Sequence, residues 1–479
     1  MSDIELITRQ VDTKRDTFVA LADEIWRLAE LRFNEHKSVA AHIAALEEEG
    51  FGITRSVAGI DTAFVAESGR GGPVIALLGE YDGLAGLSQD AGVAEPRTST
   101  PGAVGHGCGH NLLGAGAALA AVALRNYLMA TGLKATVRFY GCPAEEGGSG
   151  KTFMARAGAF DDLDAAVSWH PGCFAAVMSR SSLANFQVYW RFSGRASHAA
   201  GAPHLGRSAL DAVELMNIGV NFLREHMPPA ARVHYSITDA GGISPNVVQP
   251  RAEVLYLIRA PEVEQARALF ARVRKIADGA ALMTETEATL EIDKACSNIV
   301  PNMTLAAAMH ANLTRVGPVP FDAEDMAFAE RIRGTLTPDD IAHAVETNGT
   351  PEAAESVLYG APVPLDPTPR VLGGSTDVGD VSWIVPTVQM WGACFAVGTP
   401  GHSWQLVAQG MAPAAHKGMV HAAKVMAATA LDVIRDPGLL ARAKAELKER
   451  TAGRGYRCPI PEDVLPAPLR RAAAAGAVR

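Results

Sequence analysis

The chain has 479 residues, of which 48% are hydrophobic and 20% charged, and its formal net charge is −9. That length exceeds one ordinary domain, so two or more are expected, and the composition is that of a globular protein. The acidic balance excludes nucleic acid as a partner, because phosphate binding needs a basic face. Six cysteines are too few for a disulfide scaffold in a chain this long, which points to a reducing compartment. The opening MSDIELITRQVDTKRD is polar and mixed in charge, unlike a signal peptide. No apolar run is read as approaching the roughly 20 residues that span a bilayer, so a cytoplasmic protein with no membrane partner is expected.

In chain order, FVALADEIWRLAELRF carries Phe18, Leu21, Ile25, Leu28 and Leu31 at three- and four-residue steps, which predicts a helix with one buried face. A second helical stretch, VAAHIAALEEEGF, stops at Gly50. PVIALLGEYDGL follows as a buried strand ending at Glu80 and Asp82, and TVRFYGCPAEEGGSG and AAVSWHPG repeat that pattern. Between the first two lies NLLGAGAALAAVALRNYLMATG, a small-residue helix suited to close packing. Buried strands bounded by helices predict an α/β sheet, and ligands gather beyond the carboxyl ends of such strands. Glu80, Asp82, Glu145, Glu146 and His170 all fall there.

From about residue 183 the texture changes. Strand-like ANFQVYWRFSGRASH, a helix over GRSALDAVELMNIGVNFLREHM, two strands around a Gly/Pro turn, a second helix and a closing strand EATLEIDKACSN predict a small α+β insertion. The expected domains are therefore 1–182 with 299–479, interrupted by 183–298. Residues 318–370, acidic and proline-rich, read as an excursion over the surface, and the last dozen residues as a frayed tail. No internal repeat is visible.

The stretch GHGCGHNLL places Cys108 and His110 two apart in a glycine-rich turn before a helix. A thiolate and an imidazole suit zinc and related ions, though taken alone the motif is weak and a tight turn capping a helix, with incidental histidines, is the favoured reading. In PAEEGG the adjacent Glu145 and Glu146 follow an apolar strand, where a carboxylate pair needs a compensating cation. One carboxylate would hold a metal while the other takes a proton from water. His170 in SWHPG and His402 in GTPGHSWQ complete a set with Cys108, His110 and Glu146: five donors, enough for two ions sharing one bridge. Asp82 would orient a ligand, with Glu80 ranked below it. A thiol nucleophile, Cys108 with His106 or His110 as base, leaves Glu145, Glu146 and His402 without work. No phosphate loop or dinucleotide fingerprint is present.

The blocks GEYDGLAGLSQ, GHGCGHNLLG, PAEEGGSGK, WHPG, SGRASHAAGAPHLGRSALDAVELMN, GGISPNVVQP and STDVGDVSW, spread over residues 75 to 410, resemble the aminoacylase and glutamate-carboxypeptidase superfamily of co-catalytic metallopeptidases, most of all its amidohydrolase branch. The resemblance implies a zinc-peptidase-like catalytic domain, a mixed sheet flanked by helices, with an inserted α+β dimerisation or lid domain. It implies hydrolysis of the amide bond of N-acyl amino acids, p-aminobenzoyl-glutamate foremost, with other aroyl, indolyl or acyl conjugates as alternatives. Two divalent ions, Mn2+ or Zn2+, are implied, with Cys108 bridging them and His110, Glu146, His170 and His402 as the remaining ligands. Glu145 matches the general base and Asp82 the strand-end aspartate; Glu80 stands where other branches carry a histidine ligand. His198 resembles a lid histidine that reaches across a dimer to the scissile carbonyl, and Asn246 and Arg259 match positions that hold the substrate carboxylate. The implied partners are a second copy, joined through 183–298, and a homologous A subunit, with a non-catalytic role beside that subunit as the alternative to an enzyme.

Overall fold

The computed structural model describes residues 2–98 and 100–469. Most of the expected frayed tail, residues 470–479, lies outside them. The chain divides into two compact units, one built from Met1–Arg180, Val300–Pro369 and Val381–Tyr456, the other from Ser181–Ile299 and Arg370–Asp380 with the described residues from Arg457 on.

The first unit holds a seven-stranded sheet. Its strands are β1 (Gly52–Arg55), β2 (Phe64–Gly69), β3 (Val74–Glu80), β4 (Thr136–Cys142), β5 (Ala165–Gly172), β6 (Ala176–Val177) and, after the insertion, β11 (Thr387–Ala393), in the order β1-β2-β4-β3-β5-β11-β6. The central four run parallel, and antiparallel strands close both edges. The parallel strands read as unbroken apolar runs because both faces are covered. Register then aligns their ends: Glu80 pairs with Cys142 and His170 with Trp391, so the residues following β3, β4 and β5 emerge side by side.

Against this sheet pack the helices His110–Thr131 and Pro413–Arg435, which also touch each other, with Asp3–Leu28 against both. By length and composition His110–Thr131 could cross a bilayer, contrary to the expectation that no run approaches that size. Its alanines and glycines instead allow close approach within the protein, and 83% of its most apolar window is buried. The indole of Trp169 on β5 donates to the carbonyl of Leu113 at 3.0 Å, locking helix to sheet. It is a core helix.

The expected surface excursion over 318–370 is also more structured than its composition suggested. It forms the helices Ala323–Arg333 and Pro338–Asn348, each opened by a capping box at Asp322 and Thr337. Ala329, Ile332 and Leu358 bury against Ala396, Ala408 and Ala414, and even one of its acidic residues, Asp325, is buried and paired with Lys417.

The second unit is an antiparallel sheet, β10-β7-β9-β8, with β7 (Ala184–Ser193), β8 (Arg232–Asp239), β9 (Arg251–Ala260) and β10 (Glu287–Cys296). Alternate residues of β9, from Ala252 to Ala260, are buried, as a sheet with one covered face requires; the helices Ala209–Leu223 and Val263–Thr284 pack on it. Residues 370–380, expected in the first domain, belong here for a backbone reason. Ser181 N–H donates to the Arg370 carbonyl at 3.1 Å, Leu372 N–H to the Ser181 carbonyl at 2.8 Å and Leu183 N–H to the Gly374 carbonyl at 2.9 Å. Asp380 accepts from the backbone and hydroxyl of Ser297 at 3.1 and 2.7 Å.

Candidate metal centre

The centre is assembled from the ends of the parallel strands and two glycine-rich loops. Gly109, at φ +76°, takes a left-handed turn that a side chain would resist, and this turn sets Cys108 and His110 on the two sides of a helix start. β4 runs into a turn in which Ala144 also has positive φ, 61°, directing Glu145 and Glu146 back over the strand ends. His402, with φ 55°, sits in the loop after β11, and its backbone N–H donates to the Gly107 carbonyl at 2.8 Å. That bond ties two loops nearly 300 residues apart in sequence.

Three donor groups result, each with its candidate ligand atoms within 4.8 Å of one another: Cys108, His110 and His170; Cys108, Glu146 and His402; and Glu80, His110 and Glu145. Cys108 is common to the first two and His110 to the first and third. The Cys108 sulfur lies 3.4 Å from His170 Nε2, and His402 Nε2 lies 3.3 Å from Glu146 Oε2. His110 Nδ1 is bonded to Asp82 Oδ1 at 2.9 Å, which directs its Nε2 toward Glu80 Oε2 at 3.2 Å and Glu145 Oε2 at 3.8 Å. Asp82 uses its other oxygen to accept the Glu146 N–H at 2.8 Å.

Electrostatics support a cationic occupant. Glu80 Oε2 and Glu146 Oε1 are buried and accept no hydrogen bond. Buried polar atoms left in that state are costly, and cations held at the donor groups would satisfy them. Burial pushes Glu146 up to about 7, with the Cys108 thiolate adding to the push. Burial also opposes a Cys108 thiolate, but the charge of His170 and hydrogen bonds from His110, His170 and His402 hold the thiol well below its usual range. The hydrogen bond to Cys108 and then that to Glu146 raise His402 to about 10. Against the effect of burial, Cys108 raises His170 to about 9. Crowded acids, bases and a thiolate of this kind are what a ligand set looks like to protons.

All five donors expected from the sequence come together, with Glu145 beside them and Asp82 behind His110. Glu80, ranked lower, joins the third group. Its second oxygen meets Lys151 Nζ at 2.5 Å, and both side chains are buried. Lys151 was missed, although the GSGK that follows the glutamate pair placed a cation there to be found. His106 serves otherwise. Its Nε2 is bonded to the Ile25 carbonyl at 3.0 Å, and burial drives its pKa down to about 4, which removes it as a base for Cys108.

Three expected residues lie in the second unit. His198 is exposed, and its Nδ1 accepts the N–H groups of Ala200 and Gly201 at 3.2 and 3.1 Å; the Asn246 carbonyl accepts from neighbouring Ala199 at 2.9 Å. Arg259 is on β9 opposite Asn185, at the start of β7, whereas His198 follows the end of β7 at Ser193. At about 3.4 Å per residue, the two ends stand roughly 27 Å apart. The structure bridges His198 to Val247, next to Asn246, and places Arg259 at the other end of the strand pair.

A sequence profile of peptidase family M20/M25/M40 matches residues 76–432. The chain is 53% identical over 470 residues to a p-aminobenzoyl-glutamate hydrolase subunit of Escherichia coli (strain K12), covering 96% of this chain and 98% of that one. It is 31% identical to a Mus musculus Xaa-Arg dipeptidase, with 93% of each covered. A dinuclear metal-binding M20 peptidase of Bacillus subtilis has the same fold, with a TM-score of 0.55 at 19% identity over 88% of this chain and 99% of that one. Strand-end carboxylates, a shared cysteine and a profile that spans most of the chain agree, and this protein belongs to peptidase family M20/M25/M40 as a hydrolase of metallopeptidase type.

Proposed function

We propose that the chain hydrolyses the amide bond of N-acyl amino acids, with p-aminobenzoyl-glutamate, the substrate in the name of its 53%-identical relative, as the leading candidate. The observation that carries this reading is the convergence of Cys108, His110, Glu146, His170 and His402, with Glu145 at their edge. We assign the first five as ligands of two divalent ions, zinc or manganese, with Cys108 shared between them. Bound there, the ions would supply Lewis acidity to polarise the scissile carbonyl and acidify a water.

The protein's own groups do the rest. Glu145 accepts a proton from the attacking water, whose oxygen forms the new bond to carbon; as the C–N bond breaks, Glu145 returns that proton to the leaving amine. Asp82 fixes the ring of His110 through Nδ1. His198 donates to the developing oxyanion, and Asn246 and Arg259 take the substrate carboxylate, the guanidinium by two parallel bonds. Because His198 and Arg259 stand at opposite ends of β7, one substrate meets both only if a second copy contributes one of them. A homodimer through 183–298 follows, and exposed Ile218 and Phe222 on one helix, with Tyr235 and Ile237 on edge strand β8, offer an apolar face for it. The six cysteines form no disulfide, in keeping with the cytoplasm as its compartment.

Metal-loaded protein is to be assayed against p-aminobenzoyl-glutamate, an indolyl-acyl aspartate and an Xaa-Arg dipeptide, alone and with a homologous A subunit. Release of p-aminobenzoate by the chain alone is expected. Turnover only when the A subunit is present would favour a partner role, in keeping with an E. coli relative named as one subunit of its hydrolase. Hydrolysis of none of the three under either condition would refute the assignment.

A further inference from the structure

Glu145 stands on a turn that is not self-sufficient. Ala144 holds a positive φ without being glycine, and the Gly148 N–H to Ala144 carbonyl bond, at 2.9 Å, closes the turn from within. Further support comes from residues 29–35, the link between the first two helices, which lie before the span matched by the family profile. The Glu35 carboxyl group accepts the Ala144 N–H at 2.9 Å, and an Arg32 guanidinium nitrogen donates to the Gly147 carbonyl. Phe33, itself at φ 56°, lays its ring where a Cβ on Gly148 would sit and meets Phe153 edge-on at 6.2 Å between centroids. The same link reaches the neighbouring strand end, its Glu30 carbonyl accepting the Gly83 N–H at 2.8 Å beside Asp82. Arg32 and Glu35 are 4% and 0% exposed, a costly placement for two ionisable residues, neither of which belongs to a donor group. Burial of such residues is accounted for if the backbone atoms they grip must be held.

We propose that Arg32 and Glu35 are positioning residues that clamp the 144–148 turn and thereby aim the Glu145 carboxylate. The inference rests on the general-base assignment for its catalytic consequence, but the clamp itself is a statement about backbone order. A displacement of about 1 Å at a reacting group costs on the order of 100-fold in rate. A clamp therefore acts on turnover more than on substrate binding.

The test uses full-length protein carrying Glu35→Ala, Glu35→Gln, Arg32→Met or Arg32→Lys, with kcat, KM and hydrogen exchange over 144–148 measured for each. Glutamine keeps the oxygen that accepts from Ala144, so Glu35→Gln should retain kcat within about threefold of the parent. Glu35→Ala and Arg32→Met should lower kcat about 10- to 100-fold with KM nearly unchanged, and speed exchange at the turn by about tenfold, the worth of one lost hydrogen bond. Arg32→Lys should fall between, since a donor remains. Normal exchange at 144–148 in Glu35→Ala, or an equal loss in Glu35→Gln and Glu35→Ala, overturns the clamp. Should Glu35→Ala fail to fold, Arg32→Met against Arg32→Lys decides by the same two readings. If the parent protein hydrolyses nothing, the functional reading fails, and the exchange data still judge the clamp.

Discussion

Two sets of histidines in the first unit show how differently one side chain is used. At the strand ends His110, His170 and His402 cluster with Cys108 and carboxylates, and their proton affinity is raised. In the packed interior His42, His106 and His421 are each bonded to one backbone carbonyl, of Ser38, Ile25 and Gly317, and burial drives each down to about 4. The first set is surrounded by negative charge that invites a cation; in the second, burial outweighs every neighbouring charge and dipole and lowers proton affinity. Environment, not residue type, separates a ligand from a strut.

The largest effect is expected at Cys108, common to two donor groups. Cys108→Ala should take bound metal from near two ions per chain to below one and lower turnover beyond about 10⁴-fold. Elemental analysis that still finds two ions would refute the proposal that Cys108 serves both. Next comes Glu145→Ala, for which a fall in kcat of about 10²–10⁴-fold is expected with metal content unchanged; parallel loss of metal would make Glu145 a ligand instead. Asp82→Asn leaves His110 its shape but weakens its anchor, so a drop in metal affinity of about 10- to 100-fold is expected by competition with a chelator. Unchanged affinity would detach Asp82 from the site.

The smallest effect tests the struts. The folded-state pKa of His421 lies below that of the unfolded chain, so the folded form binds fewer protons between the two values. Its contribution is present above about 6.5 and is lost as pH falls through about 4. His421→Gln retains an amide donor for Gly317, and the loss of stability on acidification should shrink by on the order of 1–3 kcal/mol. Urea midpoints at pH 7 and pH 4.5 measure it, and an acid loss equal to that of the parent would show that folding does not lower the proton affinity of His421.

Much of the site was legible because each donor follows an apolar run or sits in a glycine-rich loop, and both signals are local. Glu80, Asp82, Glu145, Glu146 and His170 are read in this way without any partner being known. Arg32 and Glu35 were not legible. They grip backbone atoms more than a hundred residues away, and a carbonyl or N–H leaves no mark in the residue it belongs to. The same blindness put 370–380 in the wrong unit, since what binds it to Ser181 and Leu183 is main-chain hydrogen bonding.

Residue identity and periodicity by themselves determined the alternation of strands and helices, the inserted α+β unit and the inventory of metal-capable side chains, because these follow from side-chain chemistry along a short stretch of chain. Which histidines face carboxylates, which oxygens are left without a partner and what steadies the Glu145 turn were decided only when the strands took their register. Those outcomes depend on distances between segments remote in sequence, and closing the chain around a shared sheet is what sets them.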